Sequence, residues 1–170
     1  MMRSAVLGLA ALLCAGLALV RTDAAVAAET GAKARVGSLA ISGAWIRGVQ
    51  PAAGVAAGYL EITNEGETSD RLVAVSAPFA RRSGFHRMSV EGGAMRIGRI
   101  DGGLPIGPGE RVTFEPGANH VLFKGLLAAP TPGETLPVRL RFEVAGDVEL
   151  DLPVSAIGAA ALDECRRVTR

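Results

Sequence analysis

Cysteine is almost absent from this 170-residue chain, which has only Cys14 and Cys165. Cys14 lies in an N-terminal apolar run that reads as a cleaved segment, which leaves Cys165 alone and excludes an intramolecular disulfide. The fold therefore has to stand on its core. Charge of one sign is also missing: 18 Lys and Arg face 17 Asp and Glu, and removing residues 1–28 leaves 16 against 16. Without a basic stripe, nucleic acid is a poor partner. No stretch keeps a 3.6-residue apolar period, and no internal repeat is visible, so long helices and solenoids are not expected. The residues also lack a Ser/His/Asp order, a well-placed Cys/His pair and a carboxylate pair beside a cleft signal, which argues against an enzyme. Histidine is as rare as cysteine, with His86 and His120 the only two.

The longest apolar run covers residues 5–20, 16 residues against the roughly 20 that a spanning helix needs. Met1 to Arg3 supply a positive start, and Ala25-Val26-Ala27 a small-residue cleavage pattern. Residues 1–28 are expected to be a secretory signal peptide, with the mature protein periplasmic. Cys14 invites a lipoprotein reading, but Leu13 stands before it where a bacterial lipobox has a small side chain. Lipidation would tether the same domain without changing its chemistry. Residues 29–37 are small, polar and unpatterned and read as a flexible leader. One domain follows at 38–157, and 158–170 form a C-terminal tail. A domain of this size buries a core without staples.

Within the domain, short β-favouring segments alternate with Gly/Pro turns. Strands are expected near residues 39–46 (broken at Ser42-Gly43), 58–63, 71–75, 82–90, 94–100, 111–114, 120–126, 138–144 and 148–154. Glu91-Gly92-Gly93 should turn a hairpin, because glycine takes positive φ at little cost. Residues 101–110, with four glycines and two prolines, read as loop. The pattern specifies an all-β, antiparallel Greek-key sandwich or barrel.

Both histidines and both methionines beyond Met1 and Met2 fall between residues 85 and 122. Side chains at i and i+2 of a strand share a face, so His86 should point with Met88, Met95 with Ile97, and His120 with Leu122. Imidazole and thioether donors suit Cu(I) better than Mg, Ca or Mn, which prefer oxygen. A methionine on a strand is more often core filler and a single histidine more often structural. The clustering is what raises the metal reading above that one. Arg81, Arg82 and Arg87 surround His86 as a solvated edge or as a positive rim that steers an acidic partner.

Five ordered blocks carry a family resemblance: Gly43-Ala44-Trp45-Ile46-Arg47; the run Ala57-Gly58-Tyr59-Leu60-Glu61-Ile62-Thr63-Asn64; Asp70-Arg71-Leu72-Val73; His86 and Met88 with Glu91-Gly92-Gly93 and Met95; and Pro116-Gly117 with His120 and Lys124-Gly125-Leu126. Over nearly all of residues 38–155 the chain resembles the periplasmic copper chaperones of the PCu(A)C type. The resemblance implies a cupredoxin-like sandwich carrying Cu(I), and a copper-accepting partner in assembly of the CuA centre of cytochrome c oxidase. The family's pattern is a His, a Met eleven residues later, then His-x-Met. His86 and His120 match its histidines at a spacing one residue longer, while Ile97 and Leu122 stand at its methionine positions. A site of His86, Met88, Met95 and His120 and a weaker two-histidine site both remain open. So does a degenerate member that serves as a binding or structural module. A blue-copper electron carrier would need a thiolate with its two histidines, and Cys165 lies outside the similar blocks.

Overall fold

A computed structural model describes residues 31–48 and 54–156, so the expected signal peptide and C-terminal tail lie outside the described residues. Among the described residues eleven strands occur in order: β1 (Ala32–Val36), β2 (Leu39–Arg47), β3 (Val55–Asn64), β4 (Asp70–Ser76), β5 (Ala80–Glu91), β6 (Ala94–Arg99), β7 (Leu104–Ile106), β8 (Arg111–Phe114), β9 (Asn119–Leu126), β10 (Thr135–Phe142) and β11 (Asp147–Ser155). Alternation writes several of them. Val138, Leu140 and Phe142 of β10 are buried, as are Leu39 and Ile41, then Ala44 and Ile46, of β2, one extra residue separating the two pairs.

Hydrogen-bonded neighbours follow one path, β6-β5-β9-β3-β2-β11-β10-β4-β7, with β1 beside β2 and β8 beside β3. The path folds over at β11, which pairs with β10 along most of its length and then meets β2 through Val154–Ile46 and Ser155–Arg47. That contact is parallel; every other pairing is antiparallel. The result is the two-layer, all-β, cupredoxin-like sandwich expected. Ala44, Leu60, Val121 and Phe123 of one layer face Val138, Leu140, Leu150 and Leu152 of the other. Phe123 is fully buried and packs on Phe79 at 4.9 Å between ring centroids. Truncating such a side chain to Ala costs about 3–5 kcal/mol, so the layer behind β9 is a firm support.

Three expectations need correction. The leader is not wholly flexible, because residues 32–36 form β1 against β2. Small apolar side chains at alternate positions, Ala32, Ala34 and Val36, let the strand lie down on the core. The loop at 101–110 contains β7, where Leu104 and Ile106 are buried on either side of Pro105. β7 ends the strand path, so Pro105 can sit there without breaking a ladder on its free side. Ser42-Gly43 bends β2 without ending it: the register with β3 shifts between Ser42 and Trp45, and Gly43 takes φ +58°. This is a β-bulge.

Candidate metal centre

The site is assembled on β5, β6 and β9. Gly92 and Gly93, with φ +59° and +80°, turn β5 into β6. This two-residue turn matches the twist of the flanking strands and fixes their register. His86 consequently lies opposite Arg99, Met88 opposite Ile97, and Val90 opposite Met95. On the other side β5 pairs with β9, which sets His86 directly opposite His120 and Gly84 opposite Leu122. Phe85 and Val121, the next residues along, point into the core. The histidines therefore stand together on the outer face of the layer.

Their rings are stacked, with centroids 5.9 Å apart and planes at 22°. Both residues are buried, His86 at 9% and His120 at 7% relative exposure. His120 Nδ1 lies 3.2 Å from the Ala118 carbonyl. A carbonyl only accepts, so Nδ1 donates, which leaves Nε2 as the ring nitrogen available to a ligand. A backbone partner of this kind orients many metal-bound histidines. Among the described residues, His86 Nδ1 is buried with no hydrogen-bond partner. Burying a polar atom unpaired costs about 1–3 kcal/mol. Burial holds the His86 pKa below the ordinary histidine value, a backbone hydrogen bond with Gly84 offsets this in part, and Lys124, His120 and Arg99 act electrostatically in the same direction as burial. Two buried imidazoles, one oriented through Nδ1 and the other with its pKa lowered, suit a soft cation.

The thioethers are not equivalent. Met88 is two residues from His86 on the same face, about 7 Å along the strand, and is half-buried. Met95 is opposite Val90, about 13 Å along from His86 by the same rise, and is 67% exposed. The structure brings His86, His120 and Met88 together and leaves Met95 at the outer end of the hairpin. Ile97 occupies the place across from Met88, and Leu122, half-buried, lies beside His120 between Gly84 and Ala57. Among the described residues, no group of three His, Cys, Asp or Glu side chains gathers to hold a metal. Arg99 is the neighbour that the motif reading missed. It could have been found by counting outward from the Gly92-Gly93 turn, which pairs 86 with 99.

The sequence model of a family described as "Putative lipoprotein LpqE-like" matches residues 39–154. No curated protein matches the chain. Among solved structures, the copper-bound PCuAC domain from PmoF2 is 28% identical with a TM-score of 0.63, the match covering 73% of this chain and 97% of that one. The apo PmoF2 PCuAC domain is 29% identical with a TM-score of 0.64, covering 76% and 98%. The solution structure of CuI-DR1885 from Deinococcus radiodurans, 20% identical with a TM-score of 0.53 over 75% of this chain and 81% of that one, shares the fold.

Proposed function

The chain belongs to the LpqE-like family, and from that premise we propose that it is an exported Cu(I) carrier of the PCuAC type. One observation carries the reading: His86 and His120 face each other at 5.9 Å, partly shielded from water, on the face that Met88 shares. Two buried imidazoles with a thioether beside them form a soft donor set suited to Cu(I). The copper-bound and apo PCuAC neighbours, which cover nearly all of their own length, support it. Copper here is cargo: the residues need only bind it, hold it away from solvent and release it to an acceptor. That acceptor is a copper-accepting protein of CuA assembly in cytochrome c oxidase, and the working location is the periplasm. A family described as putative lipoproteins fits an exported chain.

A second reading has its own observation. Ile97 lies across from Met88 and Leu122 beside His120, so two positions flanking the histidines hold aliphatic side chains. A site reduced in this way would bind copper weakly, and the domain would act as a binding module. Mass spectrometry after anaerobic Cu(I) loading separates the two: the carrier retains one copper per chain through desalting, whereas the degenerate module emerges as apo-protein.

A further inference from the structure

The outer face around the histidines has two features that copper binding does not use. First, Met88, Val90, Met95 and Ile97 form an apolar square of two cross-strand pairs beyond the His86–Arg99 pair. Val90, Met95 and Ile97 are 72%, 67% and 58% exposed, on a hairpin that continues past the core. A contiguous exposed apolar patch rimmed by polar residues marks an interaction surface. Second, charge is unevenly distributed. In a chain with 18 basic and 17 acidic residues, β5, β6 and β9 together contain six basic residues and one acidic one, Glu91; of the six, Arg82, Lys124 and Arg99 share the histidine face, Arg99 paired with Asp101. On the histidine face Arg82 is directly opposite Lys124, both exposed. Like charges placed opposite each other destabilise a sheet, so folding alone gives no reason for this pair.

We propose that this face, the apolar square of the β5–β6 hairpin with its Arg82–Lys124 rim, is the docking surface for an acceptor protein presenting an apolar patch edged with carboxylates. The inference rests on the Cu(I)-carrier reading and adds the chemistry of the recipient. Arg82 and Lys124 lie on one side of the His86–His120 pair and the apolar square on the other. An acceptor seated on both covers the copper site and excludes water from the transfer. Opposite charges speed such encounters by 10–1,000-fold and do so less at high salt.

The test follows copper transfer from the loaded full chain to the soluble apo CuA domain of the same organism's oxidase, by stopped flow at low and high salt. Two variants avoid the copper-binding residues and the cations that act on His86: Val90→Ser and Arg82→Glu. Each should retain wild-type Cu(I) affinity in a chelator competition. Arg82→Glu should slow transfer about tenfold or more at low salt and flatten its salt dependence. Val90→Ser should slow it at every salt concentration. Wild-type transfer rates in both variants would overturn the docking surface and leave the carrier reading standing. A wild-type chain that loads Cu(I) but delivers none to the domain would overturn the proposal through the acceptor on which it rests. Binding to vesicles containing anionic lipid, lost in Arg82→Glu and without transfer to the domain, would overturn it in favour of a membrane.

Discussion

At His86, burial has consequences for both proton and copper. Its pKa is lowered in the fold, chiefly by desolvation, while in the unfolded chain it takes the ordinary value near 6.5. Between those two values the unfolded chain binds more protons than the folded one, so stability falls as pH falls. The contribution is complete above about pH 6.5 and is lost as pH drops towards the folded value. Denaturant titrations of apo-protein should therefore show a stability decline below that pH that is shallower in His86→Ala; identical slopes would contradict it. The same shift keeps the imidazole neutral, so Cu(I) affinity should hold from pH 8 to about 6.5 and fall only in more acid solution. The methionines should separate cleanly. Met88→Leu should weaken Cu(I) binding about tenfold, equivalent to ~1.4 kcal/mol, whereas Met95→Leu, at the far end of the hairpin, should change it little. A competition titration giving the reverse order would reassign the thioether. Leu122→Met places a sulfur beside His120 with little change in volume, at a cost below about 1.5 kcal/mol. It should tighten binding, while Leu140→Met, buried in the opposite layer, should not.

At the level of elements, the histidines are held together by register. The β5–β9 pairing that sets His86 against His120 depends on β9 lying flat on the layer, and β9 is supported through β3 at Gly58–Val121. A Cβ at Gly58 would come 2.9 Å from Phe123 Cε2. Gly58→Ala should therefore overpack the ring and cost about 1–3 kcal/mol, read as a lowered denaturation midpoint; an unchanged midpoint would mean that Phe123 can move aside. Much of this scaffold was legible. The Glu91-Gly92-Gly93 signal located the β5–β6 hairpin, the short strand expected at residues 111–114 is β8, and alternation located β10, which starts three residues before the expected 138 and ends two before 144. β1 was illegible because Ala32 and Lys33 give no β signal without the β2 edge they meet. β7 was hidden because three residues around Pro105 are shorter than any pattern window. The site was half legible for the same kind of reason. Strand period put His86 and Met88 on one face, but only the long-range β5–β9 register sets His120 against His86 and only the hairpin count shows how far Met95 lies from them.

Across the whole molecule, the sandwich separates two tasks. One face of the β5–β9–β3 layer packs against β10 and β11 through Phe123, Val121, Leu140 and Leu152, and supplies stability. The other face presents two buried imidazoles, a thioether and a basic-apolar surround, and can change its ligands without disturbing the core. Ile97 and Leu122 illustrate that freedom: aliphatic side chains fill positions where the family resemblance expects sulfur, and the strands around them remain regular. The central claim is that His86 and His120 jointly hold one Cu(I). Its most direct test is an anaerobic competition titration of the chain and its His86→Ala and His120→Ala variants against a chromophoric Cu(I) chelator. The account predicts one copper per wild-type chain and a loss of affinity of about 100-fold or more in each variant, since removing even an outer-sphere partner of a metal site commonly costs 10–100-fold. Wild-type affinity in both variants would contradict it.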